Sequence, residues 1–301
     1  MTAPPPLWPA AGSDCVFYYR DLDAATRFYT ETLGFKITMD GRTTGGIGVH
    51  IQLASTSHLT LVDGTSPRSN KTGEEPKATA IALLTDELEA WDAHCAAQGL
   101  SFRNGKRLVR NKPGAAHDGF VVLDPEGYLL EFEEFLEHPE NERFYPLLAA
   151  LPRVPAALPG PPKSLHGAIH WLYYRDTAAA RRWHEGKLGL PLVCEQPGVA
   201  CIYQTSASGF LGAVDDAVGM CDWACPAAVV LSFITMHLES DLHHWLAPAL
   251  SDTPATVDDS DDRFAAVVGT DVEGYSYEFF QIFASSAATA GFPPELRTAK
   301  L

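Results

Sequence analysis

The stretch FYYRDLDAATRFYTETLGF (17–35) returns as LYYRDTAAARRWHEGKLGL (172–190). Tyr-Tyr-Arg-Asp at 18–21 recurs at 173–176, and Leu-Gly at 33–34 recurs at 188–189, so the offset is 155 in both cases. A later pair, EGYLLEF (126–132) and EGYSYEF (273–279), is offset by 147 because the loops of the second copy are shorter. A repeat on this scale constrains the chain more than any single motif, because each unit must supply the same set of elements.

The first unit opens with an apolar strand, Cys15 to Tyr19. Asp21 or Asp23 caps the helix that follows, since a short carboxylate accepts the free N–H groups of a first turn. Ala25, Phe28, Tyr29 and Leu33 recur at helical spacing as one buried stripe, and Gly34 supplies the left-handed stop. Three strand-like runs follow: FKITMD, GVHIQLA and HLTLVD. The order begins again at Thr79 with TAIALLT, the helix DELEAWDAHCAAQG, the strand LSFRNGKRLVR, and then DGFVVLD and YLLEFEEF. The Pro-rich segment 151–164 reads as an extended linker. Two further units open at AIHWLYYRD and VVLSFITM. The expected organisation is a leader (1–13), an N-terminal domain (14–150), the linker (151–164), a C-terminal domain (165–285) and a tail (286–301).

Lysine and arginine number 22 against 38 aspartates and glutamates, a formal net charge of −16. Such a surface repels nucleic acid and anionic membrane, which leaves a small-molecule ligand and a monomer or homodimer as the expected partners. No apolar run approaches the roughly 20 residues of a spanning helix. The six cysteines are scattered, as reduced thiols of a cytoplasmic protein would be. Cys221 and Cys225 are spaced too widely for a zinc knuckle.

A strand ending in Arg-Asp before LDAATRFYTETLGF, with the closing LDPEGYLLEFEEF, resembles the vicinal oxygen chelate superfamily, the glyoxalase/bleomycin-resistance/extradiol-dioxygenase group. The resemblance covers nearly the whole chain. It implies an α+β fold of four βαβββ modules paired into two domains with cupped sheets. It also implies a small-molecule enzyme of the lyase or isomerase type on an oxygenated substrate, with its site in the N-terminal cup. The alternative is a resistance-type protein that sequesters its ligand without metal. A third reading makes the second copy purely structural.

In metal-dependent members the ligands stand on the first and last strands of each module. The slots carried onto this sequence are Asp14, Thr60, Ala80 and Glu131 in the first half and Ile169, Gly212, Val230 and Glu278 in the second. Neither half offers two histidines and a carboxylate, which counts against ring-cleaving dioxygenase chemistry. Asp14 and Glu131 are the candidate ligands for Mg, Mn, Ni, Fe or Zn, and a metal-free site is the other expectation. His170 lies one residue beyond its slot and is expected to point away from the cup.

On the same implied frame, strand alternation puts Tyr18 on the face of Asp14, and His50 with Gln52 on one face. Glu131, His50 and Tyr18 are therefore the catalytic candidates. Gln52, Lys112, His117, Glu278, Trp171 and Tyr173 are the candidates for substrate binding. His237, His243 and His244 read as surface residues. The aromatic content of the second cup points either to a side-chain plug or to an apolar ligand.

Overall fold

The computed structural model describes residues 10–110, 112–160, 163–238, 263–284 and 289–298. The first module is β1 (Gly12–Tyr19), α1 (Leu22–Arg27) running into a π-turn at Phe28–Thr32, β2 (Lys36–Asp40), β3 (Gly48–Gln52) and β4 (Ser57–Asp63). Asp21 caps α1 by accepting from the Ala24 amide at 2.8 Å, and Gly34 closes the segment at φ 74°. The second module is β5 (Thr79–Leu84), α2 (Leu88–Ala97), β6 (His117–Leu123) and β7 (Leu129–Phe135). Its expected strand at 100–110 is reduced to a single bridge, Phe102 to Val122. The reason is local: Asn104 and Gly105 stand at φ 55° and 66°, which turns the chain out of any extended run.

Between the halves lie α3 (Phe144–Ala150), β8 (Val154–Pro155) and β9 (Ser164–Leu165). The sequence reading did not foresee α3. The linker is docked, with β8 paired to β9 and the Ala157 amide donating to the Gly34 carbonyl. The third module is β10 (Gly167–Tyr174), α4 (Thr177–Gly186), β11 (Leu192–Gln196), β12 (Ala200–Gln204) and β13 (Gly209–Asp215). The fourth contributes β14 (Val229–Ile234), β15 (Phe264–Thr270) and β16 (Ser276–Phe283), and β17 (Arg297–Thr298) follows from the tail. The expected helix of this module, with His243 and His244, falls outside the described residues; His237 is exposed. Among the described residues no helix is long and apolar enough to cross a membrane.

The modules do not pair as consecutive halves. One sheet runs β15-β16-β14-β1-β4-β3-β2 with β17 added beside β16, so it joins the first module to the fourth. The other runs β11-β12-β13-β10-β5-β7-β6 and joins the second to the third. The seams are antiparallel: β1 on β14 from Gly12–Ile234 to Phe17–Val229, and β10 on β5 from Gly167–Leu84 to Leu172–Thr79. The expected boundary at 150/165 is thus a boundary in sequence, and each cupped sheet takes modules from both sides of it.

The repeated motifs explain how the two sheets are held together. Glu126 accepts from the amides of Arg20 and Asp21, and Glu273 accepts from those of Arg175 and Asp176. The Tyr128 hydroxyl donates to the Ala228 carbonyl at 2.6 Å and receives the Tyr18 amide at 2.9 Å. Tyr275 donates to the Tyr173 carbonyl at 2.8 Å. Beneath each lock a buried aspartate serves the tyrosines: Asp124 accepts from Tyr19 at 2.6 Å and Asp271 from Tyr174 at 2.7 Å. These buried polar groups are therefore satisfied by one another, as an apolar interior requires. Tyr-Tyr-Arg-Asp and Glu-Gly-Tyr are halves of one structural joint, used twice.

Candidate functional site

Strand alternation gives each sheet a core face and a cup face. In the sheet of the first and fourth modules, Cys15, Phe17, Tyr19, Leu59, Leu61, Leu231 and Tyr277 belong to the main core. The alternate residues Asp14, Val16, Tyr18, His50, Thr60, Val230 and Glu278 line a cavity of about 530 Å³. That volume is in the range of small-molecule sites.

At its floor Asp14 is 2% exposed. The Thr60 hydroxyl donates to Asp14 Oδ2 at 2.5 Å, and Thr60 Oγ1 lies 2.7 Å from His50 Nδ1. A hydroxyl has one proton; since Thr60 gives it to an acceptor-only carboxylate, it receives one from Nδ1–H. The chain runs His50 Nδ1–H to Thr60 to Asp14, and it leaves His50 Nε2 as the nitrogen available to a ligand. Across the seam, Ser232 donates to Glu278 Oε2 at 2.7 Å. Burial pushes the Glu278 carboxyl above its ordinary range, and the Asp14 charge adds to this against the Ser232 bond. Burial also raises the Tyr18 phenol, so it enters the cavity wall as a neutral donor.

The tail closes one side. Phe292 is buried and its ring centroid lies 5.3 Å from that of His50 and 5.6 Å from that of His58. His58 stands opposite Asp14 in the β1–β4 register, and burial pulls its imidazole down to about 4, which keeps it neutral. The tail residues Phe292 and Leu296 form a small cluster with Met39, Ile234, Phe280 and Ile282. The mouth is bordered by Arg68 and Arg263.

The structure thus brings together Asp14, Tyr18, His50 and Glu278 from the predicted set. It separates the others. Gln52 lies in a small crevice with Gly34 and Val154. Glu131 is on β7, in the other sheet, so it does not join Asp14 as a ligand pair. Lys112 is exposed, and His117 sits beside Glu133 of that same sheet, Nε2 to Oε1 3.7 Å. Trp171 and Tyr173 are buried in the plug of the second cup. The sequence reading missed His58, Arg68, Arg263 and Phe292. Alternation from Thr60 flags His58 alone; the rest reach the site through loops and the tail.

The residues present do not fit a resident divalent metal. Of the four slots that meet in this cavity, Asp14 and Glu278 offer carboxylates, while Thr60 offers a hydroxyl already given to Asp14 and Val230 offers no donor. Among the described residues no group of three or more His, Cys, Asp or Glu is placed to hold an ion.

The second cup is filled by side chains. Phe144 and Leu148 of α3 pack with Ala80, Ala82, Ile169, Trp171 and Phe210, and Phe144 meets Phe210 edge-on at 4.8 Å. Trp171 fills the space over Gly212, where a Cβ would stand 1.8 Å from a ring carbon. His170 is on the opposite face, as expected, at 2% exposure.

The plug covers two carboxylates on one strand face, Glu133 buried and Glu131 half-buried. Burial pushes Glu131 up to about 7, with Trp171 and Arg103 pulling the other way, and burial with the Glu131 charge raises Glu133. A carboxyl raised in the native state binds more protons there than in the unfolded chain. Stability then falls as pH rises from about 4.5 to about 7, by on the order of 3 kcal/mol for Glu131. Glu131→Gln is expected to raise urea-unfolding stability at pH 8 by an amount of that order and to change little at pH 4. A variant less stable than the parent at pH 8 would show that the carboxylate makes a net favourable contact.

Residues 13–132 match the model of the Glyoxalase/Bleomycin resistance protein/Dioxygenase superfamily. The match makes the first two modules a domain of this vicinal oxygen chelate superfamily, and the cupped sheets of paired modules extend the same fold over the rest of the chain. No curated protein matches the chain. Among solved structures, glyoxalase I from Zea mays is 13% identical and superposes with a TM-score of 0.55, covering 94% of each chain. A Bacillus subtilis protein described as a "putative dioxygenase" is also 13% identical, with a TM-score of 0.58 over 90% of this chain and 85% of that one. At these identities the likeness is one of fold.

Proposed function

We propose that the chain is a small-molecule isomerase or lyase that moves a proton on an α-hydroxycarbonyl substrate, in the cavity shared by the first and fourth modules. The observation that carries this reading is the relay His50–Thr60–Asp14 facing Glu278 across one partly apolar cavity. His50 Nε2 takes the proton from the carbon bearing the hydroxyl. Glu278, which burial shifts toward its neutral form, donates when protonated to the carbonyl oxygen as it gains charge, which gives a neutral enediol. The imidazolium returns its proton to the neighbouring carbon, and Glu278 recovers one from the hydroxyl that becomes the new carbonyl. Tyr18 adds a neutral donor to the wall. The reading assigns no step to a metal, because the donor set does not hold one.

The test is α-proton exchange of 2-hydroxyacetophenone in D₂O, followed by proton NMR. Exchange is expected with the parent protein and is lost with Glu278→Gln, which keeps a donor but cannot pass a proton. Because Glu278 acts in its protonated form, the rate is expected to fall as pH rises through its raised pKa. Tight binding without exchange, in a parent protein that is folded, would replace catalysis with sequestration.

A further inference from the structure

The cavity is polarised from mouth to floor, and this bears on which member of the substrate class it takes. Arg68 and Arg263 both border the mouth. The turn at 41–46 draws them to one place: Arg68 donates to the Gly45 carbonyl at 2.6 Å and Arg263 to Thr44 Oγ1 at 3.2 Å. Gly46 makes this approach possible, since a Cβ there would stand 2.8 Å from the Arg263 guanidinium. Arg68 is exposed and makes no ion pair with a described residue. Two guanidinium groups therefore stand at one end of this cavity.

At the other end, Asp14 Oδ1 is buried with no hydrogen-bond partner among the described residues, while Oδ2 is taken by Thr60. A buried acceptor left unpaired costs about 1–3 kcal/mol, and a ligand that brings a donor recovers it. Between floor and mouth Val16, Val62, Val230, Phe264 and Phe280 give the wall an apolar stretch beside the polar Tyr18, His50 and Glu278.

We infer that the ligand is an elongated organic anion, with a hydroxyl donor at the floor against Asp14, an apolar body along the walls, and a carboxylate at the mouth between Arg68 and Arg263. This rests on the proposed function for the identity of the head group, and on the cavity alone for the anion and the donor. A charge-assisted contact to guanidinium is worth enough to change affinity by roughly 10- to 100-fold.

The experiment is calorimetric titration of the full chain with three matched probes. These are 4-(hydroxyacetyl)benzoate, 2-hydroxyacetophenone, which lacks the carboxylate, and 4-acetylbenzoate, which lacks the hydroxyl. The first is expected to bind most tightly, with about a tenfold or greater loss for each of the others. In the double variant Arg68→Ala, Arg263→Ala the preference for the carboxylate disappears and affinity for 2-hydroxyacetophenone is kept. In Asp14→Asn, whose circular dichroism should match the parent, the preference for the hydroxyl shrinks. Equal affinity for the charged and uncharged probes, an unchanged preference in the arginine variant, or no binding of any probe would overturn the inference. Graded binding without proton exchange upholds it and overturns the catalytic reading instead.

Discussion

Residues 1–150 expressed alone are expected not to fold as a monomer. The cut falls at the sequence boundary of the repeat, where a tandem protein is normally divided. Here it removes β14 from β1 and β10 from β5 at once. Each sheet keeps one contiguous half and loses the other, leaving the central strands β1 and β5, buried on both faces in the full chain, as open edges. The cavity loses Val230, Glu278, Phe280 and the β15 wall, and the second cup loses Ile169, Trp171 and Phe210. The locks Tyr128–Tyr18 and Glu126–Arg20 survive within the fragment, but they tie together two half-sheets. Open edges of this kind recruit other chains. Size-exclusion chromatography and circular dichroism of the fragment should show aggregate or an intermolecular assembly. A soluble monomer with cooperative unfolding and ligand affinity equal to the full chain would sink this account. Co-expression of 1–150 with 151–301 is expected to restore the native sheets.

The second large effect is on catalysis. His50→Gln keeps a polar side chain on β3 but has no imidazole nitrogen to take a proton. Loss of a positioned general base costs on the order of 10²- to 10⁴-fold in rate, so proton exchange should fall by that amount while probe affinity changes little. Thr60→Val separates positioning from chemistry. It removes the hydroxyl that receives Nδ1–H and serves Asp14, leaving two polar atoms without their partner. It is expected to lower the exchange rate by a smaller factor than His50→Gln and to cost about 1–3 kcal/mol of stability. Thr60→Ser, which restores a hydroxyl, should recover most of both. If Thr60→Val and His50→Gln leave exchange intact in folded protein, the relay has no catalytic role. On the proposed reading, dialysis against EDTA is expected to leave exchange unchanged.

The repeat, the strand–helix order and the face of each strand were legible in the sequence, because all three depend on local periodicity. The period of two that placed Asp14 with Tyr18 needed no knowledge of neighbours. Asp21 and Gly34 acted where the chain rules put them, since a cap and a left-handed stop are fixed by a few adjacent residues. The strand expected at 100–110 failed for a local reason too, the left-handed pair Asn104–Gly105. The helix α3 escaped because its burial comes from Phe210 and Trp171, not from its own pattern.

Only the tertiary structure decided which modules share a sheet. The opening strands of all four modules are buried on both faces, so alternation alone does not tell β1 whether its partner is β5 or β14. Choosing β14 put Asp14 beside Glu278 and left Glu131 to be covered by α3, Trp171 and the rest of the second cup. The same choice brought a tail read as featureless, with Phe292, against His50. Sequence fixes what each residue is and which way its strand turns it; the long-range edge pairing, whose free energy is set by both partners together, determined which of those residues meet.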